Sequence, residues 1–123
     1  MGKRILVIDD DAMNLRMAEF ILKKNLYEIE TANSGAEGIE KLENEKFDLV
    51  LLDIEMPVMN GFETLEKLRG MSGFETMPVI FLTASSEQQD VMKADVLGAI
   101  DYVKKPFLPD DLLQRVQKAF GQD

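Results

Sequence analysis

The chain has 123 residues, 46% of them hydrophobic and 30% charged, which is the balance of one globular domain with a buried core. Its 23 acidic and 14 basic residues give a formal charge of -9, so direct binding to nucleic acid is not expected. The absence of Cys and His excludes disulfide frameworks, thiolate zinc sites and nucleophiles activated by histidine, and it leaves carboxylate, hydroxyl and amine chemistry.

Short apolar runs alternate with helix-like stretches along the whole chain. In chain order, the predicted strands and the helices that follow them are 5–8 with 12–24, 28–32 with 35–44, 49–52 with 62–69, 79–82 with 87–97, and 100–103 with 109–120. Five such units predict an α/β fold with a parallel sheet and five helices on both faces, because each parallel connection needs a crossover.

Residues 28–32 alternate between polar and apolar side chains, which is typical of an edge strand, whereas the first, third and fourth strands are apolar throughout. This contrast favours the strand order 2-1-3-4-5 of a doubly wound, flavodoxin-like sheet. The ends of strands 1 and 3 would then lie side by side at the topological switch point, where such sheets bind their ligands.

The first apolar run is too short for the core of a signal peptide, and no apolar stretch approaches the length of a membrane span. We therefore expect a cytoplasmic protein without a membrane partner. The length favours a single domain over residues 1–123.

Several polar residues predict where helices begin and end. Ser34, Asn60 and Ser85 each precede a Glu or Gln by three residues, which is the capping-box pattern. Asn25, Gly70 and Gly98 are expected to end helices in the left-handed conformation.

Four of the predicted strands end at polar side chains that could share one site. These side chains are Asp9 and Asp10, Asp53, Thr83 and Lys105. Since the carboxyl ends of parallel strands meet at one edge of the sheet, three carboxylates, a hydroxyl and an ammonium are expected to converge. This combination suits a divalent cation together with a phosphoryl group.

The three aspartates predict a magnesium site. Magnesium is usually held by one or two carboxylates plus phosphate oxygens, so Asp10 and Asp53 are expected as direct ligands, with Asp9 binding directly or through water. A carboxylate can also attack phosphorus. Asp53 is the preferred nucleophile because it stands alone after its strand, with Lys105 as the fixed cation and Thr83 as a hydrogen-bond donor.

Four sequence motifs give the chain a close resemblance to the receiver domains of two-component response regulators. The motifs are the pair Asp9-Asp10, the run Leu-Leu-Asp-Ile-Glu-Met-Pro at 51–57 with Asn60-Gly61, the triplet Leu82-Thr83-Ala84, and Lys104-Lys105-Pro106-Phe107. The resemblance covers essentially the whole chain, with the motifs in order and at suitable intervals.

The resemblance implies a role for each residue of the site. Asp53 would accept the phosphoryl group, and magnesium would be held by Asp9, Asp10, Asp53 and the backbone carbonyl of Glu55. Lys105 would pair with the phosphate, and a cis peptide is expected before the proline that follows it.

The resemblance also implies a conformational switch. Thr83 and the backbone of Ala84 would bind phosphoryl oxygens, and Tyr102 would follow Thr83 from an outward to an inward position. This movement would reshape the surface formed by the fourth predicted helix, the fifth strand and the fifth predicted helix.

By the same resemblance, the phosphoryl group would come from a phosphohistidine of a histidine kinase or a histidine phosphotransfer protein. The protein would be a stand-alone, monomeric signalling switch rather than an enzyme, although it would assist its own phosphorylation and dephosphorylation. Its output would be either a downstream target protein or onward transfer in a phosphorelay, and the sequence leaves both open.

Two alternatives use related chemistry or architecture. A phosphohydrolase of the haloacid dehalogenase type also forms an aspartyl phosphate, but it resembles this chain less, because its strand 1 ends in Asp-x-Asp and it has a cap domain. A flavin or nucleotide module is disfavoured because residues 10–13 lack the glycines of a phosphate-binding loop.

The first predicted helix carries two apolar sets at helical spacing. One set is Met13, Met17 and Phe20, and the other is Leu15, Ala18 and Leu22. Most of these residues are expected in the core, and the set that is left outside could be the surface that docks the kinase.

Overall fold

The computed structural model describes residues 2–84, 93 and 95–121. Five strands form one parallel sheet in the order β2-β1-β3-β4-β5. The strands are β1 (Arg4–Ile8), β2 (Glu28–Ala32), β3 (Leu49–Asp53), β4 (Val79–Thr83) and β5 (Asp101–Lys104). The predicted doubly wound order is confirmed.

Four helices have bounds within the described residues. They are α1 (Ala12–Lys23), α2 (Gly35–Asn44), α3 (Gly61–Arg69) and the C-terminal helix (Pro109–Ala119). The fourth predicted helix, 87–97, and the predicted cap at Ser85 lie largely outside the described residues, although Lys93, Asp95 and Val96 are helical. No described helix is long and apolar enough to cross a membrane.

The core lies in two layers, one on each face of the sheet. Side chains alternate between the faces along each strand, so β1 after Arg4, β3 before Asp53 and β4 before Thr83 must be apolar to fill both layers. Ile5, Leu51 and Leu82 pack with α1 and the C-terminal helix, whereas Leu6 and Phe81 pack on the side of α2 and α3. Between their first and last residues, the interior strands are therefore entirely apolar.

The two outer strands differ from the interior ones. In β2, Ile29 is buried while Glu28 is exposed, as the alternating sequence predicts, and Ala32 at the end of the strand is buried on the opposite face. In β5 only Val103 is buried, and the strand begins one residue later than expected because Ile100 precedes the ladder and is half exposed.

The caps at two helix starts are confirmed. Ser34 accepts a hydrogen bond from the Glu37 amide, and Asn60 forms a complete capping box with Glu63. The left-handed conformation is confirmed for Gly98, which has a φ of 82°, but it was wrong for Asn25, because Leu26 has the positive φ of 68° instead.

Gly70 was also expected to be left-handed, but it has a φ of -83° and ends α3 in a right-handed conformation. It donates its N–H to carbonyls of the last helical turn instead.

The two apolar sets of α1 separate clearly. Ala18 and Leu22 are fully buried against the sheet, whereas Phe20 is 64% exposed and Met13 is 61% exposed. The expectation that most of these residues pack in the core is therefore wrong for the set that contains Met13, Met17 and Phe20, which lies on the outer face of the helix.

Gly61 begins α3 directly against the end of β3, where a larger residue does not fit. A Cβ atom at this position would overlap the carbonyl oxygen of Asp53 and the Cα atom of Ile54, and both are backbone atoms that cannot rotate away. The close approach of α3 to the end of β3 therefore requires glycine.

We predict that Gly61→Ala lowers the free energy of unfolding by about 2 kcal/mol or more, because the helix must move away from the strand. Urea denaturation followed by circular dichroism measures this loss. Gly70→Ala is the matched control, since the nearest heavy atom to its Cβ lies 3.6 Å away, and it should change stability by less than about 0.5 kcal/mol. Equal effects of the two substitutions would contradict the proposed steric constraint.

Candidate functional site

The register of the sheet brings the predicted site residues together. Ile8 pairs with Leu52, and Asp53 pairs with Leu82, so the residues that follow these pairs meet at one edge of the sheet. Thr83 pairs with Lys104 in the same way, which carries Lys105 to that edge. The N–H of Lys105 also donates to the carbonyl of Thr83 at 2.8 Å and fixes the start of the loop after β5.

Three carboxylates form the centre of the site. Oxygens of Asp9, Asp10 and Asp53 lie within 4.8 Å of one another. Asp9 and Asp53 are fully buried, while Asp10 is exposed and opens the cluster to solvent. Three negative charges this close repel one another, so the cluster favours a cation.

Lys105 is the cation that faces the buried pair. Its Nζ donates to Oδ1 of Asp53 at 2.7 Å and to Oδ2 of Asp9 at 3.5 Å. Burial lowers the pKa of Lys105, but the bond to Asp53 and the charges of Asp9 and Glu55 more than offset this effect, so its pKa is raised. The lysine is therefore fully charged at neutral pH.

Asp53 is held in an environment that opposes its charge. The pKa of Asp53 is raised to about 7, mainly by burial; the hydrogen bond from Lys105 opposes this rise and the neighbouring charge of Asp9 adds to it. Among the described residues, no group donates a hydrogen bond to its buried Oδ2 atom. One oxygen of the carboxylate is thus fixed by the lysine, and the other still needs a positive partner.

These features fit a magnesium ion. A hard cation prefers carboxylate oxygens, and the cluster combines such oxygens with a buried oxygen of Asp53 that has no donor. The exposed Asp10 leaves one side on which a hydrated ion can keep its waters.

The loop after β3 carries Glu55 to the other side of Asp53. The Glu55 N–H donates to Oδ1 of Asp53 at 3.3 Å. Its side chain accepts two further bonds, from the Thr83 hydroxyl at 2.9 Å and from the Ala84 N–H at 3.1 Å. The sequence indicated that Glu55 lies near the site, but it gave no signal for these two contacts.

Tyr102 lies on β5 opposite Phe81 and is 38% exposed. Its role in a switch stays a prediction of the resemblance. The peptide between Lys105 and Pro106 is cis, as expected. Asp11 caps α1 by accepting a hydrogen bond from the Met13 N–H, which leaves Asp9 and Asp10 available to the site.

Comparison with known proteins identifies the family. The family model for the response regulator receiver domain matches residues 5–117. The chain belongs to this family. It is a receiver domain of two-component response regulators, which confirms the family that the sequence motifs indicated.

Two curated relatives and one solved structure illustrate the match. The receiver domain is 37% identical to the alkaline phosphatase synthesis transcriptional regulatory protein PhoP of Bacillus subtilis, over 95% of this chain and 48% of that protein. It is 40% identical to a CpxR homolog of Haemophilus influenzae, a transcriptional regulatory protein, over 93% of this chain and 48% of the relative. The chain thus spans about half the length of these curated relatives.

The structure of the chemotaxis protein CheY4 of Vibrio cholerae matches with a TM-score of 0.92 and 31% identity, over 97% of this chain and 99% of that chain. The receiver domain therefore shares its whole flavodoxin-like architecture with a chemotaxis protein, and nearly its whole length matches about half of each transcriptional regulator. These similar proteins are thus named for two different processes, transcriptional regulation and chemotaxis.

We predict that the buried charge of Asp53 destabilises the metal-free protein above neutral pH. Its pKa rises from an ordinary value near 3.8 in the unfolded chain to about 7 in the fold, so the folded state binds the proton more tightly. The stability of the wild type should therefore fall as the pH rises from about 4 to about 7 and then level off.

Asp53→Asn removes this dependence, and we expect it to be more stable than the wild type at pH 8 in EDTA, by on the order of 2 kcal/mol, with little advantage at pH 4. Urea denaturation at several pH values measures the difference. Magnesium should reduce the difference in stability between the two proteins, because it favours the ionised carboxylate of the wild type. An advantage of Asp53→Asn that does not change with pH would contradict this interpretation.

Proposed function

We propose that this receiver domain is a phosphorylation-activated switch in which Asp53 accepts a phosphoryl group from a phosphohistidine. The observation that carries the proposal is the environment of Asp53: a buried carboxylate of the acidic cluster, with one oxygen bound to Lys105 at 2.7 Å and the other without a hydrogen-bond donor among the described residues. A purely structural aspartate would not be placed in a group of three carboxylates beside a single lysine.

In the transfer, an oxygen of Asp53 attacks phosphorus in line with the nitrogen of the donor imidazole. The new bond joins the carboxylate oxygen to phosphorus, and the bond between phosphorus and nitrogen breaks. The imidazole keeps the electron pair and takes up a proton. Because the transition state spreads negative charge over the equatorial oxygens, the site must supply positive charge and donors around them.

Asp9, Asp10, Asp53 and the backbone carbonyl of Glu55 would hold the magnesium ion. When it is bound, the ion neutralises charge on the phosphoryl oxygens. Lys105 stays charged because its pKa is raised, and it would move its contact from the Asp53 carboxylate to a phosphoryl oxygen. Among the described residues, this lysine is the cation in contact with the buried aspartates.

The same residues explain why the protein would regulate rather than turn over substrates. After transfer, the acyl phosphate would be lost slowly to water, with the acidic cluster assisting both steps. The product remains attached to Asp53 until then. We therefore propose a phosphoacceptor that assists its own phosphorylation and dephosphorylation, and not an enzyme with an external substrate.

The switch would pass from the phosphoryl group to Tyr102 through Thr83. The Thr83 hydroxyl and the Ala84 N–H are the donors closest to the Glu55 side of Asp53, and they would turn to bind phosphoryl oxygens. Tyr102 is outward now, and it would follow Thr83 inward. The surface that changes would include β5, the C-terminal helix and the fourth predicted helix, which lies largely outside the described residues.

The phosphodonor would be a histidine kinase or a histidine phosphotransfer protein that docks on the outer face of α1. Met13 and Phe20 are large apolar side chains that are more than half exposed. Phe20 and Met17 also line a groove of about 350 Å³ between α1 and the C-terminal helix. A cluster of exposed apolar side chains is typical of a protein-binding surface.

The partners beyond the kinase remain open. A monomer that acts on a target protein or passes the phosphoryl group onward is the proposed arrangement. The relatives include transcriptional regulators, so the prediction of no nucleic-acid partner concerns the present chain alone. A cytoplasmic location is proposed from the phosphodonor that this chemistry requires.

We predict that acetyl phosphate and magnesium add one phosphoryl group to the wild type and none to Asp53→Asn. Intact-mass spectrometry measures the addition, and hydroxylamine should release it because the linkage is an acyl phosphate. Asp95→Asn, which changes an exposed aspartate, is the matched control and should be labelled like the wild type. Labelling of Asp53→Asn, or labelling of the wild type in EDTA, would contradict the mechanism.

We predict that Thr83→Ala is still phosphorylated but no longer moves Tyr102, because the hydroxyl that couples the two is missing. NMR spectra of the Tyr102 ring with and without beryllofluoride, a phosphoryl analogue, measure the response. Thr76→Ala removes an exposed hydroxyl in the loop before β4 and should respond like the wild type. An unchanged Tyr102 response in Thr83→Ala would show that the signal takes another route.

A further inference from the structure

The side chain of Glu55 occupies the two donors that the phosphoryl group would need. Its Oε2 accepts from the Thr83 hydroxyl at 2.9 Å, and its Oε1 accepts from the Ala84 N–H at 3.1 Å. One carboxylate thus uses both of its oxygens on two adjacent donors at the end of β4. Such bonds to a charged acceptor are stronger than those between neutral groups.

The arrangement resembles a bound phosphoryl group in its charge and in its oxygen positions. Two negatively charged oxygens lie against Thr83 and Ala84, and the same carboxylate contributes to the raised pKa of Lys105. The Glu55 backbone is meanwhile tied to Asp53 through its N–H. The side chain is exposed, so it can leave for water without opening the core.

We propose that Glu55 is a positioning residue that acts as an internal substitute for the phosphoryl group. In the unphosphorylated protein it holds the Thr83 hydroxyl and the Ala84 N–H, and it must release both donors before they bind phosphoryl oxygens. The inference rests on the proposed phosphorylation of Asp53. It adds a competition at that site, in which a carboxylate of the chain itself opposes the activated arrangement.

The competition follows from charge as well as from geometry. A phosphoryl group on Asp53 carries negative charge, so Glu55 cannot stay beside it and share the donors without strong repulsion. Phosphorylation therefore has to expel the Glu55 side chain. The equilibrium between the two arrangements depends on the difference in their affinity for the same two donors.

The test compares Glu55→Gln with the wild type in the rate of phosphorylation by acetyl phosphate and magnesium. Gln has nearly the same shape, but it is neutral, and an NH2 donor replaces one of the two oxygens, so it cannot accept a bond at both of the positions that Glu55 uses. We expect Glu55→Gln to react faster by about threefold or more, since the donors are released more readily. Glu66→Gln removes the same charge from an exposed side chain of α3 and should react like the wild type.

The same comparison in a Thr83→Ala background separates competition for the donors from simple charge repulsion. If Glu55 acts through Thr83, the increase in phosphorylation rate caused by Glu55→Gln should fall to about half or less in this background. The amide resonance of Ala84 in the unphosphorylated protein is the second readout, and it should move upfield in Glu55→Gln because the charged acceptor of its hydrogen bond is replaced by a neutral group.

Two results would overturn the inference while leaving the proposed function intact. One is an equal rate for Glu55→Gln and the wild type, with Asp53 labelled in both. The other is an equal gain in both Thr83 backgrounds, which would assign the effect to charge alone. If the wild type itself acquires no phosphoryl group on Asp53, the proposed function fails, and this inference fails with it.

Discussion

The site depends on the contact between the buried carboxylate of Asp53 and the ammonium of Lys105. Removing a carboxylate from water is costly, and a single hydrogen bond of 2.7 Å offsets only part of that cost. The same lysine also faces Asp9, and Asp10 lies within the cluster, so one positive charge meets three negative ones. The remaining excess of negative charge favours a divalent cation, and it repels an incoming phosphoryl group until that cation is bound.

The fold makes this unfavourable cluster of charges possible by placing it at the carboxyl ends of the strands, where polar residues are tolerated. Beyond Arg4 at the start of β1, strands β1, β3 and β4 are apolar and buried on both faces until polar side chains appear where the strands end. The parallel register then sets those ends beside one another. The stability of the buried core offsets the unfavourable free energy of the acidic cluster. The loops around the cluster can carry side chains that move.

The strand order and the convergence of the site residues were predictable because both follow from periodicity and from the chemistry of residues at strand ends. Other features were not. Two apolar sets on α1 have the same spacing, and spacing alone does not say which one faces the sheet, so the exposure of Met13 and Phe20 was missed. The left-handed residue after α1 is Leu26 and not Asn25, because the path of the chain into β2 outweighs the local preference of asparagine. The contacts of Glu55 depend on the rotamer of an exposed loop side chain, which no sequence pattern specifies.

Those contacts change how the switch is best understood. If the donors of Thr83 and Ala84 were unpaired before phosphorylation, the phosphoryl group would gain two new hydrogen bonds and would drive the change strongly. In this protein both donors already bind a carboxylate, so phosphorylation exchanges one anionic acceptor for another. The free energy available to move Thr83 and Tyr102 is then a difference between two similar terms, and it comes mainly from the extra charge and the fixed position of the phosphoryl group. The two arrangements of such a switch then differ less in free energy. In the proposed competition, Glu55, two positions after Asp53, determines how far the equilibrium shifts on phosphorylation.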